Sequence, residues 1–136
     1  MGGDRSGGTA VTRVVGRVRR LRLLLFALRL RLHARAVGAR LDVRVDRTAR
    51  LRGRVRLFVS SGTHTRVHIG PGVVLEHGVL LHLGGGEVTF GPRVQVRAGC
   101  VLRVRGGTLV FHGDNMLSYH SVVHCDERVE IGRGSF

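Results

Sequence analysis

Apolar residues recur along this chain at two different periods, and the change of period near Gly38 divides it in two. Val14, Val18, Leu21, Leu25, Leu28 and Leu32 follow one another at three- and four-residue steps, and Val15 and Leu24 widen the stripe. Arg13, Arg17, Arg20, Arg31 and Arg35 lie largely off it. This spacing predicts an amphipathic α-helix with a basic polar side over 11–38, Thr12 serving as N-cap and Gly38 as stop. Residues 1–10 are small and polar and hold four glycines, so they read as a disordered tail. Leu41, Val43 and Val45 then alternate with Asp42, Arg44 and Asp46, the pattern of a strand leading in over 39–50.

From about residue 51 to 136 one phrase recurs. Val67-His68-Ile69-Gly70-Pro71-Gly72-Val73 is followed by Val88-Thr89-Phe90-Gly91-Pro92-Arg93-Val94, by Val110-Phe111-His112-Gly113-Asp114-Asn115-Met116 and by Val129-Glu130-Ile131-Gly132-Arg133-Gly134-Ser135. Leu51, Val55 and Leu57, eighteen residues before Ile69, Val73 and Leu75, mark an earlier coil. Aliphatic residues stand at i and i+6 with a branched or small one at i+4, so three six-residue units make a turn of about 18 residues. Gly84-Gly85-Gly86 and Gly106-Gly107 take equivalent places and read as corner loops. One coil cannot bury its own interior, whereas stacked coils share a core and a backbone ladder. The expected architecture is about four coils of parallel β-helix with Leu51, Leu57, Ile69, Leu75, Phe90, Val96 and Ile131 inside. Leucine-rich repeats would need an asparagine ladder, and calcium-binding nonapeptide repeats a regular Asp; neither is present.

Charge adds one distinction. The formal net charge is +14, yet residues 1–60 hold sixteen Arg against three Asp, and residues 61–136 hold seven Arg against six acids. The basic character therefore belongs to the N-terminal segment. With no zinc-finger spacing, aromatic RNA-binding strand or helix-turn-helix, a nucleic-acid partner is not expected. A basic amphipathic helix either caps the end of the stack, the preferred reading, or lies on an anionic membrane surface through residues 11–35; both hold if the arginines face lipid. No signal peptide or apolar run of spanning length is visible, so a cytoplasmic protein, peripheral at the inner membrane face if it binds there, is expected.

On these repeats, residues 51–136 resemble the hexapeptide-repeat acyltransferases, and Gly113–Gly132 most resembles their sugar O-acetyltransferase branch. The resemblance implies a left-handed parallel β-helix, acetyl transfer from acetyl-CoA to a hydroxyl of a sugar or similar acceptor, and a homotrimer with acetyl-CoA between coils of neighbouring subunits. No metal is expected. The family's histidine base would fall in the coil beyond Phe136, so none is placed on the chain, with His120 as a weak local candidate. Ser118, where the family commonly has an acceptor-contacting Asn, His120 and Asp126 are the candidate acceptor-binding residues. Aligned on the recurring phrase, His112 falls with Ile69, Phe90 and Ile131, and His124 with Leu81 and Leu102. Both are therefore expected inside, while His120 falls outward with His77 and Ala98. Cys125 beside His124 is a poor nucleophile–base pair, because neighbours on a strand point to opposite sides. Two alternatives stand beside acyl transfer. One is a non-catalytic β-helical scaffold or an inactive fragment, the β-helix over 51–136 reading as truncated at its C-terminal end. The other is a metalloenzyme like the γ-class carbonic anhydrases, for which His77 and His82 have a suitable separation but His64 and His68 do not.

Overall fold

The computed structural model describes residues 21–29, 31–32, 35–36 and 38–136. The expected tail and the helix start at Thr12 lie outside the described residues. The chain folds as a left-handed parallel β-helix of about 21-residue coils, preceded by one helix, α1, within 21–36. Thirteen short strands distribute over three parallel sheets. Sheet A runs β1 (Arg40–Val45), β4 (His64–Ile69), β7 (Gly86–Phe90), β10 (Thr108–Phe111) and β13 (Arg128–Ile131). Sheet B runs β2 (Arg50–Arg52), β5 (Val74–Glu76), β8 (Gln95–Val96) and β11 (Met116–Leu117); sheet C runs β3 (Arg56–Val59), β6 (Leu80–Leu83), β9 (Val101–Val104) and β12 (Val122–Cys125).

Alternation decides what points inward. In sheet A, Val43, Val67, Val88, Leu109 and Val129 stack as one column, and Val45, Ile69, Phe90, Phe111 and Ile131 as the next. Sheet B contributes Leu51, Leu75, Val96 and Leu117, and sheet C contributes Leu57, Leu81, Leu102 and Val123. Identical heights in successive coils carry similar side chains, so each coil closes the apolar surface left open by the one before. All seven residues expected inside belong to this core or pack against it. Phe90 and Phe111 lie stacked within it, ring centroids 5.3 Å apart.

The stack starts earlier than the repeats indicated. The segment expected as a lead-in forms β1, a full rung of sheet A paired along its length with β4. The first coil also advances by 24 residues rather than 18: Leu51 pairs with Leu75, and Leu57 with Leu81. Most of the excess over the later coils lies at the corner Ser60–Thr63, where Thr63 donates its hydroxyl proton to the Ser60 carbonyl at 2.7 Å. The next corner is shorter, Gly84 and Gly85 sufficing between β6 and β7.

Helix α1 covers the first coil, as the capping reading expects, but with a different face. Leu23 and Phe26 are buried in the common core and Ala27 packs against it. The leucine stripe read from the sequence, including Leu21, Leu25, Leu28 and Leu32, faces solvent. No helix among the described residues is long and apolar enough to cross a membrane.

Candidate functional site

The sequence alignment slips by one residue in the third repeat, and this slip relocates three histidines. Backbone pairing matches Phe111, not His112, to Phe90, so His112 lies exposed beside Glu130 at 3.8 Å rather than in the core. His124 pairs with Arg103, which pairs with His82 and then Phe58, a column on the outer surface of sheet C. Its neighbour Val123, not His124, continues the Leu81–Leu102 ladder. His120 takes the height of Gly99 and Gly78 rather than of Ala98 and His77, as its amide bond to the Ala98 carbonyl shows. All three residues at that height have positive φ, His120 at 57°. The sequence placed His120 outward, and it is exposed; its backbone, however, does a corner glycine's work.

Of the expected acceptor-binding residues, Ser118 and His120 share the corner between β11 and β12, while Asp126 follows β12. A four-residue strand, roughly 13 Å of chain, separates the two corners. The three are exposed. Asp126 instead pairs with His124, which the sequence placed in the core: its Oδ1 accepts a hydrogen bond from His124 Nε2 at 3.0 Å. Because a carboxylate only accepts, this contact puts a proton on Nε2, and in the neutral ring the free lone pair is then on Nδ1. The signal that could have found it was the Val101-Leu102-Arg103-Val104 alternation, which assigns His124 outward once aligned on Leu102.

Around His124 the outer face of sheet C is mixed in character. Phe58 meets the His82 ring edge-on, centroids 4.6 Å apart. Burial lowers the His82 pKa below the ordinary imidazole value, and repulsion from Arg103, Arg105 and His124 lowers it further. Arg103 Nε is buried without a hydrogen-bond partner among the described residues. Cys125 is buried with its thiol on the Thr108 carbonyl at 3.3 Å, on the opposite side of β12 from His124. Cys100 is also buried, its thiol 2.9 Å from the Ser118 carbonyl, and burial raises its pKa. Neither cysteine is an exposed thiolate nucleophile.

A cleft of about 840 Å³ lies elsewhere, between Arg31 of α1 and the outer surface of β1, β4 and β7. Arg44, Arg66 and His68 line it together with Asp42 and Glu87. It touches none of Ser118, His120, His124 or Asp126. Among the described residues no three His, Cys, Asp or Glu side chains are grouped to hold a metal ion.

The His82 environment has a pH consequence. With the folded-state pKa lowered, the unfolded chain binds more protons once pH drops below about 6.5. Stability contributed by neutral His82 is present above that pH and is lost as pH falls toward the folded-state value. Thermal melts between about pH 7 and pH 5 should therefore show a decline that is smaller in His82→Asn. Parallel curves for the two proteins would show that His82 carries no part of it.

These features define a class by architecture: a left-handed parallel β-helix with a helix-covered first coil. Comparison with protein-family models, with curated proteins and with solved structures finds no match to this chain.

Proposed function

We propose that the chain serves as a non-catalytic β-helical scaffold, a rigid column that presents outward ladders to partners. The observation that carries this is where its sheltered polar groups go: Arg103 Nε apart, they tie one coil to the next. Asn115, 3% exposed in the corner column of Ala49, Val73 and Val94, accepts from the Gly113 amide and donates to the Gly132 carbonyl at 2.7 Å. Glu76 holds Arg97 and the Ala98 amide of the following coil, at 2.9 and 3.1 Å. Thr65 accepts from the Gly85 amide at 2.9 Å. Buried polar groups satisfied across coils fix register; they leave those groups engaged rather than poised for chemistry.

A second reading has one observation in its favour, the His124–Asp126 pair. Resemblance to the hexapeptide-repeat acyltransferases supports it as well. In that reading His124 Nδ1 takes the proton of an acceptor hydroxyl, such as a sugar's, as its oxygen attacks the thioester carbonyl of acetyl-CoA. Coenzyme A thiolate then leaves and is protonated. Asp126 would hold the imidazole and stabilise its cationic form, in a trimer with acetyl-CoA between subunits.

Thiol release from acetyl-CoA over a panel of sugar acceptors separates the two. The scaffold reading expects no release, and amide exchange protection in β5–β10 unchanged by acetyl-CoA. Turnover that drops about 10²- to 10⁴-fold in His124→Ala, the usual worth of a general base, would overturn it and establish the second reading.

A further inference from the structure

Helix α1 is apolar on two sides, and only one is used by the fold. Leu23 and Phe26 enter the core, whereas Leu21, Leu24, Leu28 and Leu32 are 57%, 67%, 51% and 55% exposed. These four leucines stand at three- and four-residue steps and so form one ridge along the helix. On a helix of 3.6 residues per turn, Arg22 and Arg29 flank that ridge on one side and Arg31 on the other. All three arginines are exposed.

The first coil repeats the same charge. Arg40 and Arg44 on sheet A, Arg50 and Arg52 on sheet B and Arg56 on sheet C all point into solvent around the covered end. Its two acids are already engaged, Asp42 by His64 at 2.9 Å and Asp46 by Thr48 at 2.7 Å. The last coil has the opposite balance, with Asp114, Asp126, Glu127 and Glu130 against Arg128 and Arg133. Charge therefore runs along the column axis, basic at the helix end.

We infer that the helix-covered end of the β-helix docks onto an anionic membrane surface, its leucine ridge entering the interface and its ring of arginines meeting the headgroups. The chemistry is complementary on both counts. An exposed leucine ridge bounded by arginines matches the boundary between acyl chains and headgroups, where arginine stems lie along apolar material and their guanidinium groups reach phosphate. A ring of arginines draws the column toward negative surface charge with its basic end first. Nucleic acid would satisfy the arginines but leave the leucine ridge in water, and a second copy would bring like charges together. The column then stands away from the membrane and holds its later coils clear of it.

The test is co-sedimentation of the full chain with vesicles of phosphatidylcholine alone and of phosphatidylcholine mixed with phosphatidylserine. Binding should require the anionic lipid and weaken as salt rises. It should fall at least about tenfold in Leu24→Asp/Leu28→Asp and also in Arg50→Gln/Arg52→Gln/Arg56→Gln. Circular dichroism melts establish that each variant is folded; the leucines changed are solvent-facing, so the core is untouched. Three results would overturn the inference. One is absence of binding to either vesicle. Another is binding undiminished by the leucine changes. The third is a dimer in solution, or a complex with an oligonucleotide, formed while vesicles are ignored.

Discussion

Phe90→Ala should cost about 3–5 kcal/mol, the usual range for emptying a fully buried phenylalanine site. Phe90 is 0% exposed and lies on β7, the middle rung of the five in sheet A. Its ring stacks on Phe111 in the coil above, with planes 9° apart, and it stands over Ile69 in the coil below. A cavity there has little scope for collapse, because the backbone ladder fixes the spacing of the coils at about 4.8 Å. The loss should also be felt as cooperativity. In a stack where each coil contacts only its neighbours, weakening the central interface lets the two halves unfold separately. Thermal unfolding of Phe90→Ala should then shift down by roughly 10–25 °C and broaden. Phe58→Ala, on the outer face and 54% exposed, should change stability by under about 1 kcal/mol. Similar losses for the two would mean that the inward column of sheet A is wrongly assigned.

The interior was legible because it obeys one rule applied many times. Aliphatic residues at alternate positions of short strands must point the same way, and their recurrence at near-constant spacing is visible without coordinates. The corners were harder. Gly70 and Gly91 close their strands at one height, and Gly113 reads like a third copy. The backbone pairs Phe111 with Phe90, however, so Gly113 stands one place further on, beside Pro92. Counting from that glycine shifted positions 110–124 by one residue, which in a strand exchanges inside for outside. His112, His120 and His124 were all assigned through that count. Leu109 and Phe111 carried the correct register, and the glycine outweighed them.

Helix α1 shows a different kind of limit. Its sequence contains enough leucine for two apolar faces. Periodicity picks out the longer stripe, through Leu21, Leu25, Leu28 and Leu32, as the one to bury. Which face meets the β-helix depends on the shape of the first coil, where Phe26 lines a cleft together with Leu51, Gly53 and Val55. Nothing in the helix itself encodes that surface. The candidate site was obscured for a related reason. Ser118 and His120 are close in sequence to Asp126, but a coil turns a corner every few residues, so Asp126 is carried to the next corner. Residues meet here at coil spacing, as Glu76 does with Arg97.

Gly86→Ala should destabilise the chain by about 3–5 kcal/mol, combining two separate penalties. Gly86 has φ 96°, a conformation that side-chain-bearing residues rarely adopt. A Cβ there would also overlap the Gly107 carbonyl oxygen and come within 2.8 Å of the Gly107 amide nitrogen. Both are backbone atoms of the next coil, so no side chain can swing away to make room. Leu41 and Thr65 occupy the same height in the first two coils, which shows that the position is not inherently small. The corner before Thr65 has four residues, Ser60–Thr63, whereas Gly84 and Gly85 alone precede Gly86; the shorter route draws the backbone across the place a side chain would fill. Gly106→Ala separates the two penalties. Its φ is 79° and a Cβ there meets nothing within 4 Å, so only the backbone conformation is penalised, at about 1–2 kcal/mol. Denaturant melts of both variants should therefore differ by at least about 1–2 kcal/mol, with Gly86→Ala the weaker protein. Equal stability in the pair would show that the coils can separate at this corner, and that the column is softer there than its ladder implies.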